Sequence, residues 1–247
     1  MGTAKAIKLF KSIRGIGTFW AAPQTMAHLE ALRRFELDVV TPMMPAGGRC
    51  LEIGSGAGWQ ARELEQRGYQ MSGIDLATSN YSHERIWPVT DYDGQHIPFP
   101  DNSFDIVFSS NVLEHIPHVR AFQQEIHRVL APEGVAVHVV PSSSWRWWTN
   151  LAHLVKCWTP PRPHGEHAGN AVAELFYFSQ KWWLDLFLTT GWQVEVQQKT
   201  GLFYTGHSLM DDRWNIRTRH RLSTVLGSSC NIFVLRHGAA VNEKGSP

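Results

Sequence analysis

The chain has 247 residues, 43% of them hydrophobic and 18% charged, and a net charge of +1. These are ordinary globular values, enough for one large core, and the balanced charge argues against a nucleic-acid partner or an acidic solvating tail. No apolar run reaches the roughly 18 residues of a membrane span, because Asp185 interrupts one candidate and Pro141 closes the other.

The first 29 residues interleave Lys5, Lys8, Lys11 and Arg14 with Ile7, Leu9, Phe10 and Ile13, and no acid precedes Glu30. Such a segment suits an anionic membrane surface or an organelle-targeting peptide; the plainer reading is a helix packed beside the site described next. It lacks the long apolar centre of a secretory signal, and Ala6 leaves Gly2 without a myristoylation pattern. Cys50, Cys157 and Cys230 are an odd set without metal spacing, which reads as buried, reduced thiols in a cytoplasmic protein.

Further along, strands are expected at 49–54, 70–75, 86–89, 104–109, 134–140, 192–198 and 230–236. Helices are expected at 59–67, 119–130 and 180–190, with ends at Gly68, the 131–134 turn, Ser179 as N-cap and Gly191 as C-cap. This alternation predicts an α/β fold, a mostly parallel sheet covered on both faces. The nearly continuous apolar run from Val135 to Val140 fits a central strand buried on both sides.

The most informative segment is Leu51-Glu52-Ile53-Gly54-Ser55-Gly56-Ala57-Gly58, a strand that stops at a Gly-x-Gly-x-Gly turn and opens a helix. Glycine there lets backbone approach a ligand. Asp75 ends the next strand and is placed to take both hydroxyls of a ribose. A dinucleotide fingerprint would want a third glycine at 59, which is Trp. Glu52 beside the turn suits a cationic ammonium better than a pyrophosphate. S-adenosyl-L-methionine carries an ammonium, a ribose and a carboxylate for the helix N-terminus, and fits better than NAD.

Residues 49–141 resemble the core of the class I S-adenosylmethionine-dependent methyltransferases, especially the small-molecule branch of the ubiquinone and menaquinone biosynthetic enzymes. Arg49 to Gly56 resembles the first strand and glycine motif, and Tyr69 to Asp75 the second strand with its ribose-binding acid. Asp93-Gly94-Gln95-His96-Ile97-Pro98-Phe99 resembles the adenine-holding segment. Residues 100–108 resemble the turn and fourth strand, and Asn111-Val112-Leu113-Glu114-His115-Ile116 the loop beneath the methionine. The resemblance implies a Rossmann-like seven-stranded, mostly parallel sheet with helices on both faces and the last strand antiparallel. It implies a single methyltransferase domain over 1–247: an N-terminal helical cap at 1–45, the cofactor core at 49–141, and acceptor-side insertions with the C-terminal strands at 142–238. The cofactor residues it implies are Glu52, Gly54, Gly56, Gly58, Asp75, Leu76, Asp93, Gly94 and Asn111, although Asp93 by itself reads as a turn residue.

Methyl transfer chiefly requires alignment of the acceptor with an already electrophilic methyl carbon, and a hydroxyl acceptor also needs a base or a metal. His115 is the candidate base, with a capping or packing role as the alternative. The ubiquinone-pathway O-methyltransferases carry Glu-x-x-Glu-His here and hold a divalent metal; Asn111 replaces the first carboxylate, so no metal is expected. Two histidines in 163–167 read as solvated. Eight of the 11 tryptophans fall between Trp145 and Trp214, which suggests a secondary core or dimer contact, an aromatic acceptor pocket or an interfacial belt. Arg213, Arg217, Arg219 and Arg221 read as a solvated face, with contact to an anionic acceptor or lipid headgroups as the alternative.

The expected activity is therefore methyl transfer to a small acceptor with an apolar or aromatic portion, at oxygen. Carbon methylation of the quinone type, sugar methylation and a non-catalytic module that binds a protein or membrane partner stay open as alternatives. Oligomeric state is not legible.

Overall fold

The computed structural model describes residues 26–206 and 213–238. The basic segment at 1–25, with Gly2, lies outside the described residues.

Seven strands form one sheet: β1 (Arg49–Ile53), β2 (Gln70–Leu76), β3 (Thr90–Tyr92), β4 (Phe104–Ser110), β5 (Leu130–Pro141), β6 (Trp192–Lys199) and β7 (Cys230–His237). Their order is β3-β2-β1-β4-β5-β7-β6. The first five run parallel, and β7 is antiparallel to both its neighbours. Strand order reverses between β1 and β4, and the carboxyl ends of the strands at such a reversal are where these sheets take ligands.

Alternate residues of the central strands feed two cores. Leu51, Ile53 and Val107 join Phe122, Ile126, Trp183 and Phe187 on one face. Cys50, Ile106 and Phe108 join Leu37, Val40 and Leu64 on the other. The helices behind these contacts are α1 (Met26–Val40), α2 (Trp59–Gln66), α3 (Val119–Val129), α4 (Ser143–Cys157), α5 (Glu174–Tyr177), α6 (Gln180–Thr189) and α7 (Ile216–Leu226). In α3 the buried positions Val119, Phe122, Ile126 and Val129 recur at helical spacing. Each such side chain contributes about 1.5–3 kcal/mol when fully buried. Ser142, Ser179 and Asn215 cap α4, α6 and α7 by accepting from Trp145 N, Trp182 N and Thr218 N, about 1 kcal/mol each.

Two expectations need correction. The third strand lies at 90–92 rather than 86–89: Pro88 cannot donate to a ladder, and the preceding residues instead cover the glycine turn. Ile86 N donates to Ala57 O at 2.8 Å and Trp87 Nε1 to Glu65 Oε2 at 3.1 Å. The expected turn at 131–134 is a bulge inside β5, where Phe104 pairs with Leu130 and Ile106 with Val135.

Two smaller ones follow. Cys157 is exposed, unlike Cys50 and Cys230. Arg219 is fully buried and donates to Trp214 O and Phe203 O, while Arg217 and Arg221 are exposed. Among the described residues no helix is long and apolar enough to cross a membrane.

Candidate active site

The glycine turn joins β1 to α2, and Gly54, Gly56 and Gly58 all take positive φ, at 73°, 56° and 83°. At Gly54 the requirement is also steric, since a Cβ would stand 2.3 Å from Val112 Cγ2. This close approach seats the segment after β4 against the turn. The amides of Gly54 and Ser55 both donate to Ile74 O, at 2.8 and 3.0 Å.

Asp75 reaches back to the turn. Its Oδ2 accepts from Gly56 N and its Oδ1 from Leu76 N, both at 2.7 Å. The carboxylate is thereby fixed in orientation, with lone pairs left for hydroxyl donors. Leu76 is 39% exposed and lies beside Gly94, whose φ is 82° and whose Cβ would meet Leu76 Cδ2 at 3.0 Å. Asp93 is occupied within its own turn: Oδ1 accepts from Gln95 N and His96 N, and Oδ2 pairs with His96 Nδ1 at 2.9 Å. The His96 ring and those two amides hold this carboxyl well below the usual range.

Glu52 is 2% exposed and its Oε2 has no hydrogen-bond partner. Burial pushes its carboxyl up to about 8 against the opposing pull of Ser55, Ala61 and the Arg33 charge. Asn111 closes β4 in the left-handed region, φ 55°, with its amide on Val139 O at 2.8 Å.

Sequence reasoning missed the polar network behind these groups. Arg33 of α1 pairs with the fully buried Glu36 at 2.6 Å and donates to Ser110 Oγ at 3.2 Å. Tyr204 OH donates to Glu36 Oε1 at 2.8 Å, and Cys230 Sγ donates to Asn111 Oδ1 at 3.3 Å. Burial works to lower the Arg33 guanidinium, but Glu36 overrides it and keeps the pKa raised. In the sequence, Arg33 and Glu36 look like a surface pair three residues apart on a helix.

His115 lies in the short helical turn Leu113–His115, directly after the carboxyl end of β4. The preceding Glu114 is wholly buried, and neither of its carboxylate oxygens has a hydrogen-bond partner; burial pushes it up to about 8. The segment 163–167, expected to be solvated, folds down onto this pair. Glu166 N donates to Glu114 O at 2.9 Å, and His167 Nε2 donates to Leu113 O at 3.3 Å. At Gly165 a Cβ would stand 2.6 Å from Glu114 O.

His164 thus meets His115, ring centroids 4.7 Å apart, and Trp145 at 4.8 Å. The ligand atoms of Glu114, His115 and His164 all lie within 4.8 Å of one another. Two imidazoles and a carboxylate are a donor set that zinc and other divalent metals accept. Burial lowers the His115 pKa, with the nearby Glu166 charge opposing and His167 assisting. Burial, then His115 and Arg146, take His164 down to about 4. Both shifts favour the neutral ring, the form that accepts a proton or ligates, while both side chains keep an exposed edge.

Glu174, fully buried, anchors the segment: its Oε1 accepts from His164 N and Gly165 N, both at 2.6 Å, and its Oε2 faces Arg146 Nε at 2.7 Å. The tryptophans divide between roles. Trp145, Trp183 and Trp192 are core, whereas Trp147 and Trp158 face solvent.

Known proteins resemble this arrangement. Residues 27–197 match the family model described as a methyltransferase domain. The chain is 28% identical to the ubiquinone biosynthesis O-methyltransferase of Rhodopseudomonas palustris (strain HaA2) over 200 residues, 75% of this chain and 72% of that one. It is 26% identical, over the same shares, to the protein of that name from Bradyrhizobium diazoefficiens. Among solved structures, the S-adenosylmethionine dependent methyltransferase of Mesorhizobium loti superposes with a TM-score of 0.56 at 16% identity, covering 82% of this chain and 98% of that one. A SAM dependent methyltransferase from Aquifex aeolicus gives 0.54 at 15% identity, covering 91% and 96%. At these identities the structural likeness is one of fold.

Proposed function

This chain belongs to the methyltransferase-domain family and takes its methyl group from S-adenosylmethionine, and from that premise we propose that it methylates a hydroxyl oxygen of a small organic acceptor with an apolar or aromatic portion. The observation that carries the reading is the placement of His115 beside His164 and Glu114 at the carboxyl end of β4. The O-methyltransferase names of the relatives support oxygen as the target.

In this reading the Asp75 carboxylate takes the ribose hydroxyls, Leu76 and Gly94 line the adenine, and Asp93 serves by shaping their turn. Glu52 meets the methionine ammonium, whose charge favours its ionised form. The Asn111 carbonyl lies beneath the same group, and the N-terminus of α2 at Gly58 faces the carboxylate. His115 takes the proton of the acceptor hydroxyl as an oxygen lone pair attacks the methyl carbon. The carbon–sulfur bond breaks toward sulfur, leaving a methyl ether and S-adenosylhomocysteine.

A second reading rests on the Glu114, His115 and His164 grouping: these residues would hold a divalent cation, which when bound would acidify a coordinated hydroxyl. The two readings separate experimentally. With His115 as base, transfer survives treatment with chelator, while His115→Ala binds S-adenosylhomocysteine normally and transfers about 10²–10⁴-fold more slowly. An unchanged rate in His115→Ala overturns the base, and loss of activity on chelation, restored by one added metal, establishes the cation.

A further inference from the structure

Parallel strands are normally joined by a crossover helix, but residues 77–89, between the parallel β2 and β3, contain none. The connection lies along the glycine turn instead and is pinned at both ends. Ser79 N donates to Leu76 O at 3.0 Å, and Ile86 N donates to Ala57 O at 2.8 Å. Arg85 pairs with Asp91 of β3. Trp87 packs where side chains are missing: a Cβ on Gly58 would stand 2.7 Å from Trp87 Cβ, and one on Gly73 would stand 3.2 Å from Trp87 Cζ3.

Between the pins stands Tyr81, the aromatic residue in the otherwise polar run Thr78-Ser79-Asn80-Tyr81-Ser82-His83-Glu84. Its ring lies on Gly56, where a Cβ would meet Tyr81 Cδ2 at 3.4 Å and Cγ at 3.6 Å. Gly56 is the residue whose amide donates to Asp75 Oδ2. The ring thus borders the carboxylate assigned to the ribose, and it does so while Tyr81 is 43% exposed. A scattered exposed ring needs no explanation. This one is held by a pinned polar segment beside a carboxylate with lone pairs to spare, which makes it a wall of a site, open on one side. A ribose supplies the facing surface, because its C–H face is apolar while Asp75 takes its hydroxyls.

We propose that Tyr81 is a cofactor-contacting residue, its ring packed on the ribose of S-adenosyl-L-methionine, with the connection 77–89 as a fixed clamp across the glycine turn. The proposal rests on the assignment of Asp75 to the ribose and is independent of the acceptor and of His115. Because the contact is to the adenosyl part, it strengthens binding of the methyl donor, of S-adenosylhomocysteine and of adenosine alike. A connection pinned in advance spares the cofactor the cost of ordering it.

The test is calorimetric titration of the full chain with S-adenosylmethionine, S-adenosylhomocysteine and adenosine. Tyr81→Ala is expected to bind all three about ten-fold more weakly, and Tyr81→Phe, which keeps the ring, to restore most of the loss. A second measurement uses the wild type itself: saturating S-adenosylhomocysteine should shield Tyr81 from nitration by tetranitromethane, read at that residue by mass spectrometry. Nitration of Tyr81 that the ligand leaves unchanged overturns the proposal. So does tighter binding by Tyr81→Ala, which would put the ring in the space of the cofactor, or a loss confined to the two ligands that carry the amino-acid portion. If Asp75→Ala binds weakly and Tyr81→Ala binds as the wild type does, the proposal alone falls; if Asp75→Ala also binds normally, the ribose assignment falls with it.

Discussion

The amide of Gly56 donates to Asp75 Oδ2 at 2.7 Å across 19 residues of sequence, so the carboxylate that ends β2 also holds the glycine turn that ends β1. A residue with both tasks should be intolerant of neutralisation. Asp75→Ala is expected to weaken S-adenosylmethionine binding by about 100-fold, the loss of two charge-assisted hydrogen bonds. Calorimetric titration measures it, and wild-type affinity would remove Asp75 from the ribose.

Glu52 links cofactor binding to pH. Its carboxyl, pushed up to about 8, is largely protonated in the free protein at neutral pH. A cationic ligand requires it ionised, so binding releases a proton and affinity climbs as pH rises toward 8. Titrations at pH 7 in two buffers of different ionisation heat should show that release in the wild type and not in Glu52→Gln. Equal proton counts in the two proteins would count against the ammonium contact.

The same shift bears on stability. A carboxyl whose folded pKa lies above its unfolded value favours the fold at low pH, and that contribution is lost as pH rises through the folded value. Glu52 and Glu114 both stand at about 8. The melting temperature of the ligand-free protein should therefore fall between pH 6 and pH 9, and fall less in Glu52→Gln. A flat profile would show that neither carboxyl is protonated in the fold.

Gly54→Ala tests the contact between the turn and the segment after β4. With φ at 73° and Val112 Cγ2 at 2.3 Å from the new Cβ, the expected cost is about 2–4 kcal/mol. Val112→Ala in the same chain should recover part of it. Chemical denaturation gives both values, and additive effects would mean that the two residues do not collide.

Glu174 holds the amides of His164 and Gly165 in place. Glu174→Ala should free the segment, so that the His164 ring, held near 4 in the fold, titrates closer to its ordinary 6.5. Nuclear magnetic resonance of the histidine rings follows this directly, with affinity for S-adenosylhomocysteine unchanged. A His164 pKa that stays low would show that Glu174 does not position it.

What the sequence made legible was local or periodic. The glycine turn, the acid ending β2, the buried run of β5 and the Ser179 cap each follow from a few neighbouring residues, and each lies where expected. The strand assigned to 86–89 failed because apolar Ile86 and Trp87 pack over the glycine turn, a tertiary contact that periodicity does not register. His164 was illegible for the same reason. It lies 49 residues after His115, and tertiary contacts bring it there: the carboxylate of Glu174, the missing Cβ of Gly165 and the bonds of Glu166 and His167 to the Leu113–Glu114 backbone. The division of the tryptophans between core and solvent was visible only as an excess of tryptophan, because composition does not say which side of a helix faces the core.

Transfer from S-adenosylmethionine labelled with carbon-13 in its methyl group, offered to a panel of phenols and hydroxylated quinol precursors, tests the central claim most directly. The predicted product carries the label on oxygen, with a methoxyl carbon resonance, and forms far more slowly with His115→Ala although cofactor binding is intact. Label appearing on carbon, or equal product from the variant, would contradict oxygen methylation with His115 as its base.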